Sequence, residues 1–173
     1  MNRTTRIARA ALPAALALAA GATLLGASAA QAATPRCVTE RLAVTLGPSD
    51  AGAGNESQVY VLTNVSGRTC LLGGYPGMAF LSSTGKVLRG TVARGSTTLF
   101  RDPGPRTLTL RPGARVSYSL GFISPQTSAC RTTAEVEVTP PNATRTLLVR
   151  SRVSVCPGQP MTVSALVPGT RGA

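Results

Sequence analysis

Arg115-Val116-Ser117-Tyr118-Ser119-Leu120-Gly121-Phe122 alternates without a break between polar or small residues and large apolar ones. Successive side chains of an extended strand point to opposite faces, so a period of two describes a strand with one buried face. Val116, Tyr118, Leu120 and Phe122 form that face, and Arg115, Ser117, Ser119 and Gly121 are expected to be wet. The same period recurs in both directions along the chain. Leu42, Val44 and Leu46 alternate with Arg41, Ala43 and Thr45, and Ala134, Val136 and Val138 alternate with Thr133, Glu135 and Glu137. Residues 58–64 and 77–81 are more uniformly apolar and read as central strands, and residues 163–167 offer a last one. Turn signals separate these stretches, among them Gly47-Pro48, Ser66-Gly67, Thr84-Gly85, Pro103-Gly104-Pro105 and Pro112-Gly113. Thirteen prolines and eighteen glycines leave little room for long helices. Turns about every 8–12 residues predict an all-β chain, an immunoglobulin-like antiparallel β-sandwich.

The N-terminus follows a different rule. Arg3, Arg6 and Arg9 precede an Ala/Leu-rich stretch from Ala10 to Ala30, and Ala30-Gln31-Ala32 places small residues for a cut before Ala33. A basic start, an apolar run and an A-x-A site predict a cleaved secretory signal peptide over residues 1–32. No adjacent arginines mark the twin-arginine route. Thr34-Pro35-Arg36 stands where a lipobox before Cys37 needs small and apolar residues, so a lipid anchor is not expected. No later stretch approaches the ~18 uninterrupted apolar residues of a membrane span. The expected product is a secreted or cell-wall-associated monomer of one domain, residues 33–173, with its core at about 37–167.

All four cysteines lie in the exported part. An even count in an oxidising compartment predicts two disulfides, for which three pairings exist. Cys37 with Cys70 and Cys130 with Cys156 is favoured, closing spans of 33 and 26 residues (70−37 and 156−130). Each bridge is worth ~3–4 kcal/mol in the chain-entropy model.

Four local patterns then occur in order: Cys37 ahead of the Leu42–Leu46 strand, Asn64-Val65-Ser66-Gly67-Arg68-Thr69-Cys70, Gly74-Tyr75-Pro76-Gly77, and Leu110-Arg111-Pro112-Gly113. Val138-Thr139-Pro140-Pro141 and Cys156 complete the set. The chain from Cys37 to about Val163 resembles the exported actinobacterial family catalogued as domain of unknown function 4232. The resemblance implies a secreted or surface-attached β-sandwich and supplies no catalytic residue. The lipobox that many members carry is missing here. Physically, Asn64 and Ser66 suit a turn in which their side chains bond nearby amides and Gly67 takes a positive φ. Pro76 presets φ between two permissive glycines, and Tyr75 is expected to cap the core edge with its hydroxyl outward.

Composition removes several functions. The chain has no His, which excludes Ser-His-Asp and Cys-His nucleophiles and His-ligated zinc. It has no Trp and six other aromatics, too few for a base- or sugar-stacking platform. Ser83-Thr84-Gly85-Lys86 matches S-x-x-K but sits where a hairpin turn is expected, without a K-T-G triplet. Glu135 and Glu137 share one strand face ~7 Å apart, and the ordinary reading is two acids in solvent. Asp50, Asn55 and Glu56 offer oxygens for calcium without an EF-type spacing. No cofactor or metal is expected.

Charge is the remaining signal. Of 18 Lys and Arg, three precede Ala33, leaving 15 against six acids, a net of +9. Lys86, Arg89, Arg94, Arg101, Arg106, Arg111 and Arg115 are opposed locally by Asp102 alone and are the candidate anion-binding residues. Such a field attracts anionic polymers, which at a cell envelope are teichoic acids, phospholipid headgroups and extracellular DNA. The bland alternative is a set of solubilising arginines on wet strand faces. The leading expectation is a non-catalytic binding or scaffold module at the cell envelope. A secreted protease inhibitor presenting Thr98–Thr107, with Phe100-Arg101-Asp102-Pro103, is the second, and a small hydrolase the third.

Overall fold

The computed structural model describes residues 33–173, and the signal peptide expected over residues 1–32 lies outside the described residues. A single 3-10 turn (Thr39–Arg41) leads into β1 (Leu42–Gly52), β2 (Asn55–Asn64), β3 (Cys70–Gly73), β4 (Gly77–Leu81) and β5 (Val87–Leu88). Then come β6 (Val92–Arg94), β7 (Thr107–Leu110), β8 (Arg115–Ile123), β9 (Arg131–Thr132) and β10 (Glu135–Thr139). The last are β11 (Leu147–Arg150), β12 (Ser154–Val155), β13 (Met161–Val163) and β14 (Val167–Pro168). The described chain is all-β, as the alternation predicts.

The larger sheet runs β1-β2-β8-β13-β6, with β14 also pairing to β8. A smaller sheet runs β11-β10-β4-β5, and β3–β7 and β9–β12 form two-stranded pairs. Every pairing between named strands is antiparallel except β13 with β6, which is parallel, as is the isolated bridge of Arg36 with Leu71; both depart from the purely antiparallel expectation. Strands β2 and β4 do lie inside their sheets. The last strand does not hold over 163–167: the chain leaves β13 at Val163, buries Ser164–Leu166, and pairs again at Val167.

One apolar cluster joins the two sheets. Tyr60, Leu62, Tyr118 and Leu120 enter it from the larger sheet, and Phe80, Val136 and Val138 from the smaller. Tyr60 and Tyr118 are direct cross-strand partners, and their rings stack 5.3 Å apart at 11°. Both predicted disulfides are present, Cys37–Cys70 and Cys130–Cys156.

Expectations about faces fail in three places, and the first is Thr133, expected wet but buried with its Oγ1 donating to the Ser151 carbonyl. Leu46 is 41% exposed, because β1 is an edge strand and its register slips between Leu46 and Ser49. Ser117 and Ser119 are buried, because the second face of β8 is covered as well. The Gly172 amide donates to Ser117 Oγ (3.0 Å), the Ala173 amide donates to Ser119 Oγ (3.2 Å), and Phe100 packs on Gly121. The serines are polar because they pair the backbone of the segment lying on them, and an unpaired amide there would carry a desolvation penalty.

Candidate functional site

The Gly74-Tyr75-Pro76-Gly77 turn is built around a carboxylate. Gly74 adopts φ 114°, a conformation that L side chains rarely take, and delivers Tyr75 to the loop that precedes β7. The Tyr75 hydroxyl donates to Asp102 Oδ2 at 2.5 Å, instead of pointing to solvent as expected. Asp102 Oδ1 accepts the amides of Ala165 (2.9 Å) and Gly104 (3.2 Å). Burial pushes the Asp102 carboxyl upward, but the Tyr75 hydroxyl and these two amides outweigh it and hold the group below its ordinary range. The Arg94 guanidinium lies 5.1 Å from the centre of the Tyr75 ring, within cation–π range. Asp102 therefore ties three separate segments together, and Arg101 beside it is left exposed.

The seven candidate anion-binding residues are all exposed and are spread over many elements. Lys86 sits on the β4–β5 turn and Arg89 just beyond β5, the edge of the smaller sheet. Arg94 lies on β6, the edge of the larger one. Arg101 and Arg106 occupy the loop before β7, Arg111 the β7–β8 turn, and Arg115 the first position of β8. Of these, Arg94 is the one that lies over the Tyr75 ring.

A different set of cations lines an open groove of about 880 Å³. Arg131, Arg150 and Arg152 line it, with Ser82, Ser83, Thr132 and Ser151 among the other residues. Arg150, the last residue of β11, and Arg152 flank Ser151, which is buried, and both are exposed. Ser151 is fixed from three sides. Its Oγ meets the Tyr60 hydroxyl at 2.8 Å, its carbonyl accepts Thr133 Oγ1 at 2.5 Å, and its amide donates to the Ala134 carbonyl at 3.2 Å. Arg131 lies one residue from the Cys130–Cys156 bridge, and its Nη1 donates to the carbonyls of Ser128 (2.6 Å) and Cys130 (3.0 Å). A second groove, about 550 Å³ beside β5, carries the single cation Arg89. Reading the densest window of cations, residues 86–115, passes over the three arginines of the larger groove. Their one sequence signal is the alternation Arg150-Ser151-Arg152.

The other candidates stand apart. Ser82 and Ser83 both line the larger groove, while Ser82, Thr84 and Lys86 also close a hairpin turn in which the Ser82 amide donates to the Lys86 carbonyl at 2.9 Å. Glu135 and Glu137 are half-buried on β10, opposite Arg150 and Leu148 of β11. Asp50, Asn55 and Glu56 bond separately to the Ala51 amide, the Ala53 carbonyl and Ser124 Oγ. Among the described residues no three His, Cys, Asp or Glu side chains gather as metal ligands.

A family model described as Domain of unknown function (DUF4232) matches residues 37–167. The chain belongs to this family. No curated protein and no solved structure matches it. The DUF4232 domain opens at Cys37, in the first bridge, and closes at Val167, in β14. Both sheets, both bridges and the arginine-lined groove thus belong to the domain, while residues 172–173 that cover β8 lie beyond it.

Proposed function

We propose that this DUF4232 chain is a non-catalytic exported module of immunoglobulin-like build that holds anionic polymers at the cell envelope. One observation carries the reading. Residues 33–173 hold 15 cations, yet among the described residues a single carboxylate–cation contact exists, Arg145 with Glu40 at 2.7 Å. Other acids are engaged elsewhere: Glu56 by Ser124, Asp50 by the Ala51 amide, and Asp102 by Tyr75, Ala165 and Gly104. Cations without carboxylate partners leave a field that recruits polyanions through steering and counterion release. Two disulfides accord with an oxidising compartment, and no described helix is long and apolar enough to cross a membrane. The test is retention on isolated cell walls at low ionic strength. Release near about 0.5 M salt is expected, and failure to bind at any salt concentration sinks the reading.

Inhibition of a protease is a second reading, favoured by one feature. Exposed Arg101 stands between buried Phe100 and Asp102, whose carboxylate is held by Tyr75 and Ala165, so the loop is braced on both sides of a trypsin-type side chain. Stoichiometric inhibition of a trypsin-like protease, abolished by Arg101→Ala, supports it. Unhindered cleavage at Arg101 dismisses it.

A further inference from the structure

On the basis of the polyanion reading above, we infer that the groove lined by Arg131, Arg150 and Arg152 is the binding site, and that its ligand is a linear phosphodiester polymer with a non-aromatic backbone, of the polyol phosphate kind. Arg150 and Arg152 are both exposed on either side of buried Ser151, within about 7 Å of each other along the chain, the scale of an extended phosphodiester repeat. Arg131 comes from a different segment, beside a disulfide. Two backbone carbonyls already hold its guanidinium, so less side-chain entropy is lost when a ligand arrives. Guanidinium forks match phosphate oxygens in bidentate fashion, which a carboxylate-poor groove leaves available. No carboxylate lines it, and among the described residues none of the three arginines forms an ion pair.

The rest of the lining selects within the polyanions. No aromatic ring lines the groove, so stacking, the sequence-tolerant source of affinity for single-stranded nucleic acid, is not on offer. Ser83 and Thr132 instead present hydroxyls, which suit the oxygens of a polyol. The groove is also concave, with Ser151 buried behind it, and a flat headgroup surface does not follow such a contour.

The probe is synthetic poly(glycerol phosphate), titrated against the purified, disulfide-bonded protein at several salt concentrations. Polyglutamate and single-stranded oligothymidylate serve as the carboxylate and aromatic comparisons. The groove variant is Arg131→Gln/Arg150→Gln/Arg152→Gln. A second variant, Arg150→Gln/Arg152→Gln, leaves the Arg131 hydrogen bonds intact should the triple variant fold poorly. The charge-matched control is Arg41→Gln/Arg68→Gln/Arg171→Gln, three exposed arginines outside the groove and outside the 86–115 set. Expected are a loss of about tenfold or more in affinity for the groove variants and a salt slope lower by about 0.7 per arginine removed, with the control close to wild type. Equal losses in groove and control variants overturn the groove assignment while the polyanion reading stands. Equal or tighter binding of polyglutamate or oligothymidylate overturns the ligand class. No binding of any polymer by the wild type removes the polyanion reading and the groove together.

Discussion

Asn64 illustrates how a single polar side chain can organise apolar surroundings. It is fully buried, donates from Nδ2 to the carbonyls of Arg68 (2.8 Å) and Leu110 (3.0 Å), and accepts from the Ser66 amide and hydroxyl. The Asn-x-Ser part of this turn was readable in the sequence, but the bond to Leu110, 46 residues away, was not. Gly67 does not take the positive φ expected of it, because the Asn64–Ser66 bonds already turn the chain. Tyr118 is the opposite case. Its hydroxyl is buried without a hydrogen-bond partner among the described residues, whereas that of its stacked neighbour Tyr60 meets Ser151. Tyr118→Phe should therefore be neutral or stabilising by up to about 1 kcal/mol, and Tyr60→Phe should cost about 1 kcal/mol, read from urea midpoints. A clear loss in Tyr118→Phe would reveal a water on that hydroxyl. Asp102 makes a prediction with pH. Its folded-state carboxyl is held low, so its stabilisation is present above the ordinary carboxylate range and is lost as pH falls through the lowered value. Asp102→Asn should lower stability at neutral pH by about 1–2 kcal/mol and flatten the acid limb of a stability-against-pH curve. An unchanged acid limb would refute the role given to it.

Strand β8 shows where pattern and packing part company. Its alternation marks the inward face without error, since Val116, Tyr118, Leu120 and Phe122 are all buried. The other face looked wet only because serine and glycine are small and polar or neutral; residues 172–173 and the Phe100 loop cover it from far along the chain. Strand β3 makes a sharper case of close approach. A Cβ on Gly73 would sit 2.1 Å from the Arg106 carbonyl oxygen, inside the β3–β7 pair where Gly73 faces Thr107. Backbone cannot move aside there without breaking the pairing. Gly73→Ala should cost about 2–4 kcal/mol, while Gly67→Ala, with open space around its Cβ, should stay within about 0.5 kcal/mol. Thermal unfolding of the two variants side by side checks both values, and equal melting temperatures would contradict the contact.

Taken together, residues 33–173 are held by two sheets on one core and by bridges at Cys37–Cys70 and Cys130–Cys156. Replacing either cysteine pair with alanines should lower stability by about 3–4 kcal/mol, measured by denaturant unfolding. The second replacement should also loosen Arg131, next to its bridge, and so weaken polyanion binding more than the first. At the alkaline end, burial raises the phenols of both Tyr60 and Tyr118. The folded state then keeps protons that the unfolded chain releases, so stability falls as pH rises past about 10. Phenolate absorbance from these two residues should appear only with unfolding; earlier ionisation would show that the rings are not sealed.

Alternation, turn residues and an even cysteine count were enough to predict strands, turns and two bridges, because each depends on neighbours within a few residues or on a handful of thiols, whereas the choice among three pairings rests with the fold. They could not say which cations meet. Arg131, Arg150 and Arg152 come together because β9 pairs with β12 while β10 returns as β11, and Arg94 reaches Tyr75 because β6 joins the sheet edge through β13. Charge carries no periodicity that strand pairing must obey, so its clustering is set by long-range register and is visible only in the folded chain.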